Sequence, residues 1–526
     1  MMSDYDAQLM NEQLRMMNGA IDSFLNSYGT HRGSDNQRTV ILLPGGMGSE
    51  LARATQPFSG ALGGSYEYET LWVDLKKIFL DQGALLMQMD GNVDDRKQFV
   101  VANGPLRNCA LHPYDGFTNW CNVNGLDLLM VGWDFRRDAD WNVNFLLDLL
   151  FPEVTRRAQD RGWPDPMQGA TIVGHSFGGM LVKWILNKHQ HPFCRQLRLA
   201  ITVGTPFYGN PGQTERFFVS EPALGPLYNL DEITKVIATL PGGFSLFFLD
   251  SDTYDANRGQ LEGDPEFPLD RYPSFDSDDR AIRVDPYMQD PDNPGSPNLC
   301  RYPIRGPQPG DNWTWFQSYV DKGRSEYRAV AQALDPTMSA KLHNIRGVQL
   351  NGAAPALETK VMQQWGWYDT SQPRMPQAKT VLKTFGGPGD GVIPAWSARL
   401  ATQPQAHVHT VRGPASGDPH LEHMTLMDWA DVRSIILGLM RPGAAEVLVG
   451  ARGPAPAARE EFAKLQQDIG AVAAAATDAE ADAAKAAVGN RLDALGVGQS
   501  RALALRWLME LHKGLPHSGP PPAYGE

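Results

Sequence analysis

Short continuous apolar runs alternate along this chain with stretches whose apolar residues recur at helical spacing. Thr39 to Leu43, Gly125 to Val131, Ala170 to Val173, Leu197 to Val203, His343 to Leu350, Thr380 to Phe385 and His407 to Val411 read as strands. A strand buried on both faces has no polar side, so continuous runs point to a mostly parallel sheet covered by helices. Between them, Asp138 to Arg161 reads as a helix interrupted near Pro152, and His423 to Met440 as a long amphipathic helix. Leu71-Trp72-Val73-Asp74-Leu75 reads as a short helix or turn. Met10, Leu14, Met17, Ile21 and Phe24 trace one face of an N-terminal helix.

The pattern breaks down from about Tyr208 to Ala340, where Pro, Gly, Asp and aromatic residues dominate. So long an irregular stretch inside a compact domain reads as a cap or lid, because Trp313, Trp315, Phe316 and Tyr319 need burial. Beyond Arg441 the composition shifts to a Pro/Ala linker, an Ala-rich helical stretch and a Pro-rich tail. The expected organisation is therefore an N-terminal helix and lead-in (1–38) and a first core segment (39–207). A cap (208–340), a second core segment (341–441) and a helical extension with its tail (442–526) follow. Packing of that extension on the core is the first expectation. Docking of a protein partner, or self-association, is the alternative.

The densest chemistry lies at Gly174-His175-Ser176-Phe177-Gly178. A strand leads into it, and Met180, Leu181, Trp184 and Ile185 continue at helical spacing. Strand, sharp turn and helix are the context of a nucleophile elbow, which lifts a serine Oγ above the sheet. The Phe177 N–H, at the helix N-terminus, would then face a developing oxyanion. Pro44-Gly45-Gly46-Met47-Gly48 also follows a strand, yet lacks the phosphate-binding spacings. The Gly46 N–H is the expected second oxyanion donor. A serine needs a base and the base needs an orienting acid, which follow it in the order acid, then histidine. Asp390, in Gly389-Asp390-Gly391, is the leading acid, and Asp418 is a poor rival. The base is His420 or His423; His423 is favoured because it opens the last long helix.

Composition narrows the reading further. The formal net charge of −13 argues against nucleic acid, which requires basic patches. It also argues against long-range attraction to anionic lipid, so membrane-surface contact should be local, hydrophobic and made through the cap. Four cysteines without a metal-binding spacing read as reduced thiols, with one bridge as the alternative, and neither metal nor cofactor is called for. The N-terminus lacks a signal-peptide pattern, so a cytoplasmic location is the default, with signal-independent export as the alternative.

Taken in order, Pro44 to Leu51, Leu71 to Leu75, Gly132-Trp133-Asp134-Phe135-Arg136, Gly174 to Gly178, Gly204-Thr205-Pro206-Phe207, Gly389 to Pro394 and Glu422 to Leu426 resemble the motifs of the lecithin:cholesterol acyltransferase family. That family includes lysosomal phospholipase A2 and phospholipid:diacylglycerol acyltransferase. The resemblance spans roughly residues 39 to 440. It implies an α/β-hydrolase fold with a cap and an acyl-enzyme mechanism on acyl esters, lipid or phospholipid. In that scheme Ser176 is the nucleophile, Asp390 the acid and His423 the base, with Gly46 and Phe177 as oxyanion donors. It also implies that Trp72 is the aromatic of a mobile membrane-binding lid. The sequence departs from the family in its cysteines, in Gly46, and in the cap and C-terminal extension. Transfer of the acyl group to an alcohol, or service as a lipase-type toxin effector, are the alternative activities. In the cap, Phe244 and Phe247 are candidates to line an acyl channel, against simple packing inside the cap.

Overall fold

The computed structural model describes residues 39–57, 67–72, 98–106, 114–160, 162–163, 169–210, 240–245, 251–267, 274–275, 289–290, 293–297, 313–349, 359–366, 377–384, 388–414 and 421–442. In the C-terminal region it describes 464, 477, 479–480 and 482–491. Six strands form the central sheet: β1 Thr39–Leu43, β2 Asp127–Met130, β3 Thr171–His175, β4 Leu199–Val203, β5 Leu342–Val348 and β6 Val408–Arg412. Their spatial order is β6-β5-β4-β3-β1-β2, with every neighbouring pair parallel. β1, β3 and β4 are buried at every position, as their continuous apolar sequences demand. Each fully buried Val, Leu or Ile contributes about 1.5–3 kcal/mol. This is an α/β-hydrolase fold. The chain leaves β1 toward β2 on one side and returns to β3 on the other. The loops after β1 and β3 therefore leave adjacent strand ends in different directions and open a crevice there.

Helices α1 Asp115–Val123, α2 Ala139–Asp160, α3 Phe177–Asn187 and α5 Ala430–Met440 lie around the sheet, and α4 Trp313–Ala331 packs on α3. The segment expected to form a cap is tied to the core through α4. The Ala139 N–H donates to Glu326 Oε1 (3.1 Å), and Trp184 Nε1–H donates to the Glu326 carbonyl (3.3 Å). A helical turn at Pro241–Phe244 joins the core through Gly242 N–H to Arg136 O (3.0 Å). Asp264, also in this region, accepts from Arg346 on β5 (2.8 Å) and from Arg399 (2.8 Å). In the extension, Val488 is fully buried in the main hydrophobic cluster, so its helix packs on the core at that point. Cys121 and Cys194 are free, buried thiols. Among the described residues no helix is long and apolar enough to cross a membrane.

Four local expectations change. Leu71 and Trp72 end a strand, Tyr68–Trp72, which pairs antiparallel with Ser49–Pro57 in a small separate sheet. α2 runs through Pro152 without interruption; the flanking Leu149, Leu150 and Val154 are buried and anchor this stretch in the core. Thr380 to Phe385 is not a central strand. Gln377–Thr384 pairs along its whole length with Thr359–Gly366, forming an antiparallel ribbon outside the parallel sheet. The long helix expected from His423 divides into a 3-10 helix, His423–Asp428, and α5, with Trp429 extended between them (φ −66°, ψ 132°). Burial of His423, Leu426 and Met427 pins that tighter turn. The expected N-terminal helix, Phe247, Asp418, His420, Cys109 and Cys300 lie outside the described residues.

Candidate active site

Ser176 sits at the junction of β3 and α3 with φ +53° and ψ −126°, a conformation that non-glycine residues rarely adopt. The junction is held by Ser176 N–H to Val203 O (2.8 Å) and Gly179 N–H to Ser176 O (2.9 Å). The flanking glycines are required by contact. A Cβ on Gly174 would meet Gly178 O at 2.5 Å, and one on Gly178 would meet Leu43 O at 2.3 Å. Strand and helix thus approach each other, and β1, more closely than any side chain allows. Strain at a residue that is structurally over-determined in this way is characteristic of functional positions.

The loop after β1 lies directly against this serine. A Cβ on Gly45 would be 2.9 Å from Ser176 Cβ and 3.4 Å from its Oγ. Gly46 and Met47 form the following turn, with Met47 at φ +59°. Two indoles brace the loop: Trp133 Nε1–H donates to Pro44 O (2.8 Å), and Trp72 Nε1–H donates to Met47 O (2.8 Å). Trp133 also stacks on Phe177, with ring centroids 4.9 Å apart. Trp72 is only 2% exposed and meets Phe135 edge-on at 5.5 Å, so it stands here as a buried brace rather than an exposed lid aromatic.

Asp390 and His423 come together beside the end of β5. Gln349 N–H donates to Gly389 O (2.8 Å), which places Asp390 next to the strand Leu342–Val348. In space Asp390 therefore follows β5, and the paired strands Thr359–Gly366 and Gln377–Thr384 come between them in sequence only. Asp390 Oδ1 accepts from the N–H groups of Val392 (3.1 Å) and Ile393 (2.7 Å). His423 Nδ1 donates to Asp390 Oδ2 (2.6 Å), and the His423 N–H donates to the Asp390 carbonyl (2.7 Å). Both residues are almost wholly buried. A charge-assisted bond of this length fixes ring orientation and leaves the Nε2 lone pair available as a proton acceptor. The His423 ring lies 4.8 Å from that of His175, the residue immediately before Ser176.

Two polar side chains of this site were not marked by any sequence pattern. Tyr114 precedes α1 and is wholly buried, and its hydroxyl bonds both Gly45 N–H (2.8 Å) and His175 Nδ1 (3.0 Å). His175 Nε2 in turn reaches the His423 carbonyl (3.0 Å). The elbow motif drew attention to Ser176, and nothing in spacing shows which way its neighbour points. Phe244, by contrast, is fully buried in the main hydrophobic cluster and packs on Tyr319 at 5.8 Å. Among the described residues no group of three His, Cys, Asp or Glu side chains is placed to hold a metal ion.

No protein-family model matches this chain. A stretch of 88 residues is 30% identical to phospholipase A(1) LCAT3 of Arabidopsis thaliana, covering 17% of this chain and 18% of that protein. A chain of the Tle4–Tli4 complex resembles this one with a TM-score of 0.45 at 13% identity, over 78% of this chain and 99% of that one. One of a group of metagenomic epoxide hydrolases of the α/β hydrolase superfamily scores 0.17 at 13% identity, over 78% and 93%. The fold is read from the strand order itself, not from these two likenesses.

Proposed function

We propose that the chain is a serine hydrolase that cleaves acyl esters of lipid or phospholipid type through an acyl-enzyme intermediate. The observation that carries the reading is the strained Ser176 at the strand–helix junction, in one locality with the buried His423–Asp390 pair. Ser176 Oγ attacks the ester carbonyl as His423 Nε2 takes its proton. Asp390 keeps the remaining proton on Nδ1 and stabilises the imidazolium that forms. The negative charge on the carbonyl oxygen is met by the N–H groups of Phe177 and Gly46, which need no reorganisation at the moment of reaction. His423 then delivers the proton to the leaving alkoxide, leaving Ser176 acylated. Water repeats the sequence with His423 again as base, releasing the acid and restoring the serine.

The lipid preference is supported by the short phospholipase A(1) match and by the order of sequence motifs. Each additional methylene buried on binding is worth about 0.8 kcal/mol, so a lipid site should favour long acyl chains in kcat/KM. Wild type and Ser176→Ala are to be compared on esters of increasing chain length and on phospholipid vesicles, with and without an added alcohol. Turnover that rises with chain length and vanishes in Ser176→Ala is expected. A preference for short soluble esters would reduce the reading to a general esterase. Acyl transfer above the alcohol's share of solvent would favour a transferase instead.

A further inference from the structure

We propose that Tyr114 and His175 are positioning residues, which lock the oxyanion loop, the nucleophile elbow and the backbone of the base into one unit. The inference rests on the serine-hydrolase reading of this site. Four groups lie in line: Gly45 N–H, Tyr114 Oη (2.8 Å), His175 Nδ1 (3.0 Å) and, from His175 Nε2, the His423 carbonyl (3.0 Å). The directions of these bonds follow by elimination. A carbonyl can only accept, so His175 Nε2 carries the proton and donates it to His423 O. Nδ1 of the neutral ring then holds a lone pair. Tyr114 therefore donates its hydroxyl proton to Nδ1 and accepts the Gly45 N–H on oxygen.

Burial keeps both groups in that state. Removal from water raises the Tyr114 phenol far above its ordinary range, so it always has a proton to give. Burial, and then the neighbouring His423, hold the His175 imidazole well below its ordinary pKa, so it stays neutral. Two consequences follow. His175, though adjacent to Ser176, cannot serve as the base, because its Nδ1 lone pair is occupied and its Nε2 already bears a proton. His423 is anchored at three points: its N–H on Asp390 O, its Nδ1–H on Asp390 Oδ2, and its carbonyl under His175 Nε2–H. The same line begins at Gly45, one residue before the proposed oxyanion donor, so both halves of the site share one register. No other ionisable side chain among the described residues bonds to either ring of this line.

The full chain labelled with 15N-histidine tests the tautomer directly. Among its twelve histidines, the ring whose signal disappears in His175→Gln should be neutral and in the Nε2–H form from about pH 5 to about pH 9. A His175 that titrates in that range, or carries its proton on Nδ1, overturns the proposal. Tyr114→Phe, checked for folding by circular dichroism, should lower kcat by about 10–100-fold with KM nearly unchanged, since small misplacements at reacting atoms cost this much. His175→Gln retains an amide donor for the His423 carbonyl and should lose less than His175→Leu. Wild-type kcat in folded Tyr114→Phe, or equal losses in the two His175 variants, refutes the positioning role. Ser176→Ala separates the two claims. If it remains active, the hydrolase reading has failed; if it is dead while Tyr114→Phe is unimpaired, only the positioning inference has.

Discussion

Gly204 directly follows β4 with φ +56° and donates its N–H to Ile345 O (2.9 Å). A methyl group at this position would lie 2.9 Å from Asp390 Oδ2, 3.0 Å from Leu426 Cδ2 and 3.2 Å from His423 Nδ1. Optimal carbon contacts lie at about 3.5 Å or more, so the carboxylate and ring must give way by about 0.5 Å. What they give way from is the 2.6 Å bond between His423 and Asp390. Hydrogen bonds to charged groups contribute about 1.5–3 kcal/mol, and alanine in a left-handed conformation costs about 1–2 kcal/mol. Gly204→Ala is therefore expected to lower stability by about 2.5–5 kcal/mol and kcat by about 10–100-fold. KM should change little, because the methyl points at the acid–base pair rather than toward an acyl chain. Gly162→Ala is the control: φ is +65° there, and no atom lies within 4 Å of the added carbon. It should carry the backbone cost of about 1–2 kcal/mol without loss of turnover. Urea midpoints give the stabilities, and turnover of a soluble ester normalised to folded protein gives kcat. Wild-type kcat in Gly204→Ala, or an equal loss in Gly162→Ala, would refute the reasoning.

Three further outcomes are expected. Trp72→Phe removes the bond to Met47 O and should lower kcat on soluble esters by about 2–10-fold, the worth of one neutral hydrogen bond; loss confined to vesicle substrates would restore a lid role for Trp72. Burial alone would raise the Asp264 carboxyl, but Arg346 and Arg399 hold it below the usual carboxylate range. Its stabilisation is thus present above the unfolded pKa and lost as pH falls through the folded one. Asp264→Asn should cost about 3–5 kcal/mol near neutrality and less in acid, and an equal loss in urea melts at both would contradict this. Burial pushes Glu326 up to about 8, so the folded state keeps a proton that the unfolded state releases, and this contribution to stability falls as pH rises toward 8. Glu326→Gln should flatten that decline in thermal melts; an unchanged slope would place its origin elsewhere.

The sheet was legible because strands buried on both faces leave an unbroken apolar signature, as at Thr39–Leu43 and Leu199–Val203. The elbow was legible because a strained serine needs glycines where strand and helix touch. The ribbon strand at Gln377–Thr384 was not, since an apolar run records a wish for burial without naming the partner strand. Its neighbour hid the acid's true position beside β5, which depends on a single bridge between Gln349 and Gly389. The break at Trp429 escaped notice for a related reason: apolar spacing is shared by a 3-10 turn and the α-helix after it. Tyr114 lay furthest from view, because a lone buried hydroxyl has no periodicity, and its role comes from three segments meeting in space.

The central claim is that Ser176 is the nucleophile, activated by His423 and Asp390. A fluorophosphonate probe reports this most directly, because it phosphonylates only a serine whose proton is being removed. The labelled protein should be digested and its modified residue located by mass spectrometry, in wild type, Ser176→Ala and His423→Ala. One phosphonyl group on Ser176 in wild type is expected, with none in Ser176→Ala and labelling slowed by about 10³-fold or more in His423→Ala. Labelling at another residue, or unchanged labelling of Ser176 in His423→Ala, would contradict the account.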